Sequence, residues 1–332
     1  MSSNSLITQI KIVENWNTLV KNKCSLTPLS LNPSLGNILQ KTFNYKFNYL
    51  LLESKNKIVA FLPIVLLKNK IISFPHFSYG FVFTDEVIEN DNCFIDNMDF
   101  IFDNQSQKKY ELRSFSKLTE NTYIDKVLSY INLNNQNIIF SSFKSNHRRK
   151  IRKSIKNGLT IKQGKTELLK DFYDVLCKNS HRLGAPVLPI SFFRNLLTDY
   201  KYGDSLVFIT YLNGKAIGSA FLLSYNGFYE NIWFATIKKY NHLYTSYLLH
   251  WTMIKYACDK AAKIYSFGRS TKDSGVHNFK KHWGTKDKQL YWNYSHPKKF
   301  DLRKHNWIKE IWKLLPLPVA KWIGPYFAKK VY

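Results

Sequence analysis

The sequence predicts an α/β (α+β) protein of two repeated units, each a mixed sheet flanked by helices. Three observations carry this reading. The chain has 332 residues, enough for roughly two domains. Two distant stretches share one pattern, in which an apolar run, a polar turn and a second apolar run follow a helix-like segment. Hydrophobic residues make up 45% of the chain and aromatic residues 16%, which supplies packed cores and excludes wholesale disorder.

The elements follow in order. In the first unit, residues 15–21 and 35–43 read as helical. Tyr49 to Glu53, a polar turn at 54–56 and Ile58 to Val65 then read as a hairpin. The stretch from Phe83 to Thr122 is acidic, polar and irregular, with no function assigned to it. A polar run from Asn132 to Gln136 marks a boundary. The expected division is therefore 1–135, 136–296 and a tail at 297–332. In the second unit, Leu168, Phe172, Val175, Leu176 and Asn179 follow helical spacing over 168–182. Leu206 to Tyr211 and Ala216 to Leu223 flank Asn213-Gly214, a strong hairpin signal. Tyr244, Tyr247, Leu248, Trp251, Ile254 and Cys258 form another helical stripe. Ile264 to Phe267 reads as a buried strand ending in a Gly268-Arg269-Ser270 turn, with a helix from about Ser274 to Gly284.

The formal charge of +26 would ordinarily point to nucleic acid, anionic lipid or phosphorylated substrates. The chain is so rich in Lys, Asn and Ile that nucleotide composition also accounts for this charge. Placement of the scarce arginines is more telling. Six of the eight (Arg148, Arg149, Arg152, Arg182, Arg194, Arg269) lie between 148 and 269, and arginine suits planar, two-pronged contacts to carboxylate or phosphate. Cys24, Cys93, Cys177 and Cys258 are far apart and read as reduced thiols of a cytoplasmic protein. Residues 1–16 hold no apolar core of a signal peptide, and no apolar run reaches the ~18 residues of a membrane span. The expectation is a soluble protein, peripheral to a membrane at most.

Several motifs carry chemistry, each with a plain structural alternative. His147 to Gly158 reads as a short, strongly cationic helix, either a solvated face or a phosphate contact led by Arg148 and Arg152. His181 to Pro189 reads as a rigid helix-ending loop, with Arg182 at its start. Around Gly268, an arginine, backbone N–H groups and Lys280 converge where an anion or oxyanion would sit. Phe279 and Trp283, at i and i+4, read as core, and His76 as a structural histidine. Asp273 and His277 are available as general bases, and neither stands out. No metal cluster, Ser-His-Asp order or P-loop is visible. The tail carries nine Lys/Arg against two Asp/Glu from Lys298 to Tyr332, with Trp307, Ile308, Ile311, Trp312, Leu314 and Leu315 before Pro316. It suits either a membrane interface or packing on the body with snorkelling lysines.

Helix, hairpin, strand, helix, strand is the order of the GNAT acyltransferase fold, so the chain reads as two tandem GNAT-like units. Gly268-Arg269-Ser270, Gly275, Phe279-Lys280 and Trp283-Gly284 together resemble the C-terminal motif of the FemAB-like N-acyltransferases. These are relatives of the enzymes that build peptidoglycan cross-bridges, and the resemblance is nearest to those encoded with exopolysaccharide-export systems. It implies that Lys280 stabilises negative charge during acyl transfer, with Arg269 as its catalytic companion. It further implies that Arg148, Arg152, Arg182, Tyr79 and Phe279 bind substrate. The Arg182-Leu183-Gly184 loop and Ser73 to Gly80 resemble the family's pocket wall and acceptor cleft. The implied acceptor is an amine on an envelope amino-sugar or peptide precursor. The implied donor is aminoacyl-tRNA or acyl-CoA. Lys238 to Ser246 lacks the glycines that cradle the pyrophosphate of coenzyme A, which favours aminoacyl-tRNA or another activated acyl donor. The implied site of action is cytoplasmic, with contact to an anionic membrane through 298–332 as an option. Two rivals stand against an enzyme: an RNA-binding protein and a non-catalytic, membrane-peripheral scaffold.

Overall fold

The computed structural model describes residues 9–13, 29–54, 57–67, 70–80, 82–83, 109–297 and 306–330. Its contacts divide the chain into two units. Unit 1 holds 1–128, 269–274 and 287–299, and unit 2 holds 129–268, 275–286 and 300–332.

In unit 1, helix α1 (Ser34–Phe43) buries Leu35, Ile38, Leu39 and Phe43 at helical spacing, and Asn44, at φ 55, ends it. Strands β2 (Lys46–Ser54) and β3 (Lys57–Leu67) pair antiparallel as the expected hairpin. The helix expected at 15–21 lies outside the described residues. The remaining strands are β1 (Gln9–Val13), β4 (Lys70–Ser73), β5 (Val82–Phe83), β6 (Tyr110–Ser114), β7 (Thr122–Asn132) and β13 (Lys286–Tyr294). Their order is β1-β2-β3-β4-β6-β13-β7, with β5 beside β3. β4 runs parallel to β6, and β6 antiparallel to β13, so the sheet is mixed.

Strand β6 corrects the irregular reading of 83–122. All five of its residues are buried. Glu111 and Arg113 interrupt its apolar pattern, but they share one face of the strand and bond each other, so burial does not leave them bare.

Unit 2 carries β8 (Thr160–Gly164), β9 (Ser205–Leu212), β10 (Lys215–Tyr225), β11 (Phe228–Thr236) and β12 (Ile264–Thr271). Their order is β12-β11-β10-β9-β8. β9 and β10 form the predicted hairpin. Asn213 and Gly214 both take positive φ, 48 and 75, the backbone that matches strand twist in a two-residue turn. Helices α2 (Gln136–Ser142), α3 (Ser145–Lys156), α4 (Leu169–Arg182), α5 (Ile190–Asp199), α6 (Thr245–Asp259) and α7 (Gly275–Lys281) complete the unit with the tail helices α8 (Asn306–Leu314) and α9 (Leu317–Lys330). Phe172 of α4 and Phe193 of α5 pack on each other and on Phe221 of β10. Each such buried ring contributes about 2–3 kcal/mol. On α6, Leu249, Met253, Ile254 and Ala257 join Tyr265 and Phe267 of β12 in a second core.

The Gly268-Arg269-Ser270 segment is a strand, not the expected turn. β12 continues to Thr271, and the chain reverses only afterwards, with Asp273 at φ 58. Gly268 does take φ 70, but it kinks the strand from within. The division between units falls in β7 and in β12, so Gly268 belongs to unit 2 and Arg269 to unit 1. Among the described residues, no helix is long and apolar enough to cross a membrane.

Candidate active site

Lys280 is only 4% exposed, although it lies on a seven-residue helix beside exposed neighbours. Its Nζ donates to the Gly268 carbonyl oxygen at 2.7 Å. The kink presents that carbonyl, and the Gly268 N–H secures it by donating to Ser266 Oγ at 3.1 Å. A Cβ at 268 would stand 2.7 Å from the Asn231 carbonyl oxygen, so only glycine fits. The same point lies 3.9 Å from Glu230 Oε1, and Glu230 is buried. Strand pairing puts it there, since Glu230 is in parallel register with Ser266. A cation able to stabilise an oxyanion and a carboxylate able to take a proton thus flank one backbone kink. Burying an ammonium is costly unless it is compensated.

His250 of α6 completes this cluster. Its ring stacks on Phe234 with centroids 4.4 Å apart, and Nδ1 lies 2.9 Å from the Tyr265 hydroxyl. Burial, then the charge of Lys280, then His147 hold it well below its ordinary pKa, so the ring is neutral at pH 7. Phe279 packs edge-on against Tyr247 at 5.3 Å, and Trp283 against His147 at 4.0 Å. Burial, Lys150 and His282 push His147 down to about 4. A cavity of about 410 Å³ opens beside Trp283, walled by Ile139 and Phe143 and edged by Lys144, Lys281 and Lys286. It joins an apolar floor to cationic edges, which suits an anion with an apolar portion.

Unit 1 holds a separate cluster. Arg113 is fully buried, donating from Nε and Nη2 to Glu111 Oε1 at 3.1 and 2.8 Å and from Nη1 to the Phe77 carbonyl at 2.8 Å. Its guanidinium lies 4.5 Å from the ring centroid of Trp292, and that of Arg269 lies 5.1 Å from the same ring. Burial alone would raise the Glu111 carboxyl, but Arg113 and Lys70 outweigh it and hold it at about 2. His76 is pushed down to about 3 by burial, Arg113 and Arg269, and its Nε2 lies 3.2 Å from the Tyr45 hydroxyl. Tyr79 is buried against Phe115 with centroids 4.8 Å apart.

Residues 141–281 match the family model described as an acetyltransferase (GNAT) domain. The chain carries a GNAT domain. The fold agrees with that match. A crystal structure of FemX is 15% identical with TM-score 0.58, covering 79% of this chain and 93% of that one. A tandem GNAT protein from the clavulanic acid biosynthesis pathway, determined without AcCoA, is 7% identical with TM-score 0.56, covering 88% and 100%. The C-terminal domain of a putative lysylphosphatidylglycerol synthetase from Agrobacterium fabrum is 10% identical with TM-score 0.54, covering 81% and 89%. At these identities the likeness is one of fold. No curated protein sequence matches the chain.

Within the GNAT domain, Lys280 contacts Gly268 and Phe279 packs on Tyr247, while the other expected residues make contacts of their own. Arg148 Nη1 donates to the carbonyls of Ser141 and Phe143 at 2.7 and 2.8 Å, closing the end of α2. Arg152 lies over the Phe140 ring at 5.3 Å. Arg182 is exposed and donates to Asn179 Oδ1 at 2.8 Å. Arg269 and Tyr79 belong to the unit 1 cluster. Asp273 is exposed in a turn, and His277 is buried on α7. Sequence reasoning missed Glu230, His250, Arg113, Glu111 and Trp292. The scarcity of arginine could have flagged Arg113. Nothing in one sequence could have flagged Glu230, whose significance comes from its register with β12.

Proposed function

We propose that the protein is a FemAB-like N-acyltransferase that moves an acyl or aminoacyl group to an amine of a cell-envelope precursor, an amino sugar or a peptide. The placement of buried Lys280 and buried Glu230 near Gly268, inside a GNAT domain, carries the proposal. In such a reaction the amine nitrogen attacks the carbonyl carbon of an ester or thioester. Lys280 turns from the Gly268 carbonyl to the developing oxyanion. Collapse expels the donor's oxygen or sulfur, and the amine proton leaves through Glu230 to the departing group. Positioning by the aromatic walls supplies the rest.

Aminoacyl-tRNA is the donor this reading favours. The glycine-free stretch from Lys238 forms a 3-10 helix (Lys238–Leu243), and Tyr244, at φ 64, opens α6 where a phosphate-cradling loop would be needed. The fold shared with FemX and with a domain of a putative lysylphosphatidylglycerol synthetase supports an envelope acceptor. The second reading, an acyl-CoA-dependent N-acetyltransferase acting on an amino sugar, draws on the match to an acetyltransferase family.

The test offers the purified protein charged tRNA or acyl-CoA with amino-sugar nucleotides and amine-bearing peptides, and follows the product by mass spectrometry. Wild type should consume one donor class, while Lys280→Ala and Lys280→Arg should each lose about 10² or more in kcat. Transfer by Lys280→Ala at the wild-type rate would remove the lysine from the mechanism. Consumption of no donor would favour the RNA-binding or scaffold reading.

A further inference from the structure

The tail helices are built in an unusual sense. α9 turns its small residues inward, since Ala320, Gly324 and Ala328 are buried. Its large residues Val319, Trp322, Tyr326 and Phe327 are exposed, Trp322 by 83%. On α8, Trp312 is buried while Trp307, Ile311 and Leu314, at i, i+4 and i+7, are exposed, Leu314 by 83%. A helix pair serving only to cover the body would bury the large rings and show the small residues to water. Here the inner seat is already satisfied. His181 Nε2 lies 2.7 Å from the Leu315 carbonyl, Lys321 pairs with Asp174, and a Cβ at Gly184 would stand 2.6 Å from the Lys309 carbonyl oxygen. The outward apolar face is therefore a second surface.

We propose that this face docks the protein on an anionic lipid bilayer, with α8 and α9 lying in the plane of the interface. Trp and Tyr beside Lys is the composition such a plane selects. Apart from Lys321, which Asp174 neutralises, the charges from 306 to 330 are Lys309, Lys313, Lys329 and Lys330 against Glu310, complementary to acidic headgroups. The same charges disfavour a second copy, because a two-fold contact would set lysines against lysines. The 14 residues of α9 reach about 21 Å, short of the ~30 Å hydrocarbon core, so the helix lies on the membrane rather than crossing it. The proposal stands apart from the acyl-transfer reading, and its test needs no activity.

The test is flotation of the full chain with vesicles of phosphatidylcholine alone or with a quarter phosphatidylglycerol. Wild type should float with the anionic vesicles at least tenfold better than with the neutral ones, and less in high salt. The double variant Leu314→Glu, Trp322→Glu should lose at least tenfold of that binding. Both positions face solvent, so its melting temperature should match the wild type. Wild-type protein that stays unbound to anionic vesicles overturns the proposal. So does concentration-dependent dimerisation that the same double variant abolishes.

Discussion

Two glycines with nearly the same φ separate conformation from crowding. Gly214 has φ 75 with nothing within 4 Å of where a Cβ would stand, and Gly268 has φ 70 with the Asn231 carbonyl oxygen 2.7 Å from that point. Gly214→Ala should cost about 1 kcal/mol, the left-handed penalty alone. Gly268→Ala carries that penalty and also pushes β12 off β11, so it should cost about 3 kcal/mol or more and unseat Lys280. Urea unfolding of the two variants measures the difference, and equal losses would mean the kink relaxes freely. Burial decides a second residue-scale case. Glu111→Gln leaves the Arg113 guanidinium inside unit 1 without its carboxylate, at an expected cost of about 3–5 kcal/mol. Lys280 and Arg269 stood out in the sequence because their motif is local, and the structure assigns Arg269 to unit 1. Glu230 did not, because strand register defines it, and of Arg113 the sequence showed only that arginine is scarce, not that it is buried.

At the scale of elements, legibility followed the range of the interactions. The β9–β10 hairpin was readable because Asn213-Gly214 fixes its turn chemistry on the spot. Helices α4 and α6 were readable from apolar spacing. Gly268 misled because a glycine that kinks a strand and one that makes a turn look alike until the partner strand is known. β6 misled because its buried charges pair only once folded. Arg148 shows the same limit. Its guanidinium bridges two carbonyls at the end of α2, a role invisible in a run of basic residues. Arg148→Ala should therefore lower stability by about 2 kcal/mol, as loss of charged hydrogen bonds does. Arg152→Ala, which removes only a ring contact at the surface, should stay within about 0.5 kcal/mol. A reversed order in urea midpoints would mean that the Arg148 bonds contribute little.

For the whole molecule, three histidines make stability depend on pH in a known direction. His76 in unit 1 is held at about 3, His147 in unit 2 at about 4, and His250 in unit 2 well below the usual value, in each case chiefly by burial. The unfolded chain protonates all three near 6.5, so below that pH it binds protons that the folded chain refuses. Their contribution is complete above about pH 6.5 and is lost as pH falls through the folded values. Glu111 works in a lower window, because its carboxyl, held at about 2, stabilises above about 4.5 and fails only below it. Between pH 7.5 and 5.5 each histidine should lower stability, while Glu111 contributes almost nothing to the change. Unit 2 carries two of these histidines and unit 1 carries one, so unfolding resolved by unit should show unit 2 losing more. His147→Phe should bring the two losses close to equal. Tryptophan fluorescence and hydrogen exchange across that pH range supply the measurement. A stability independent of pH there would mean that the folded protein protonates these rings as readily as the unfolded chain does.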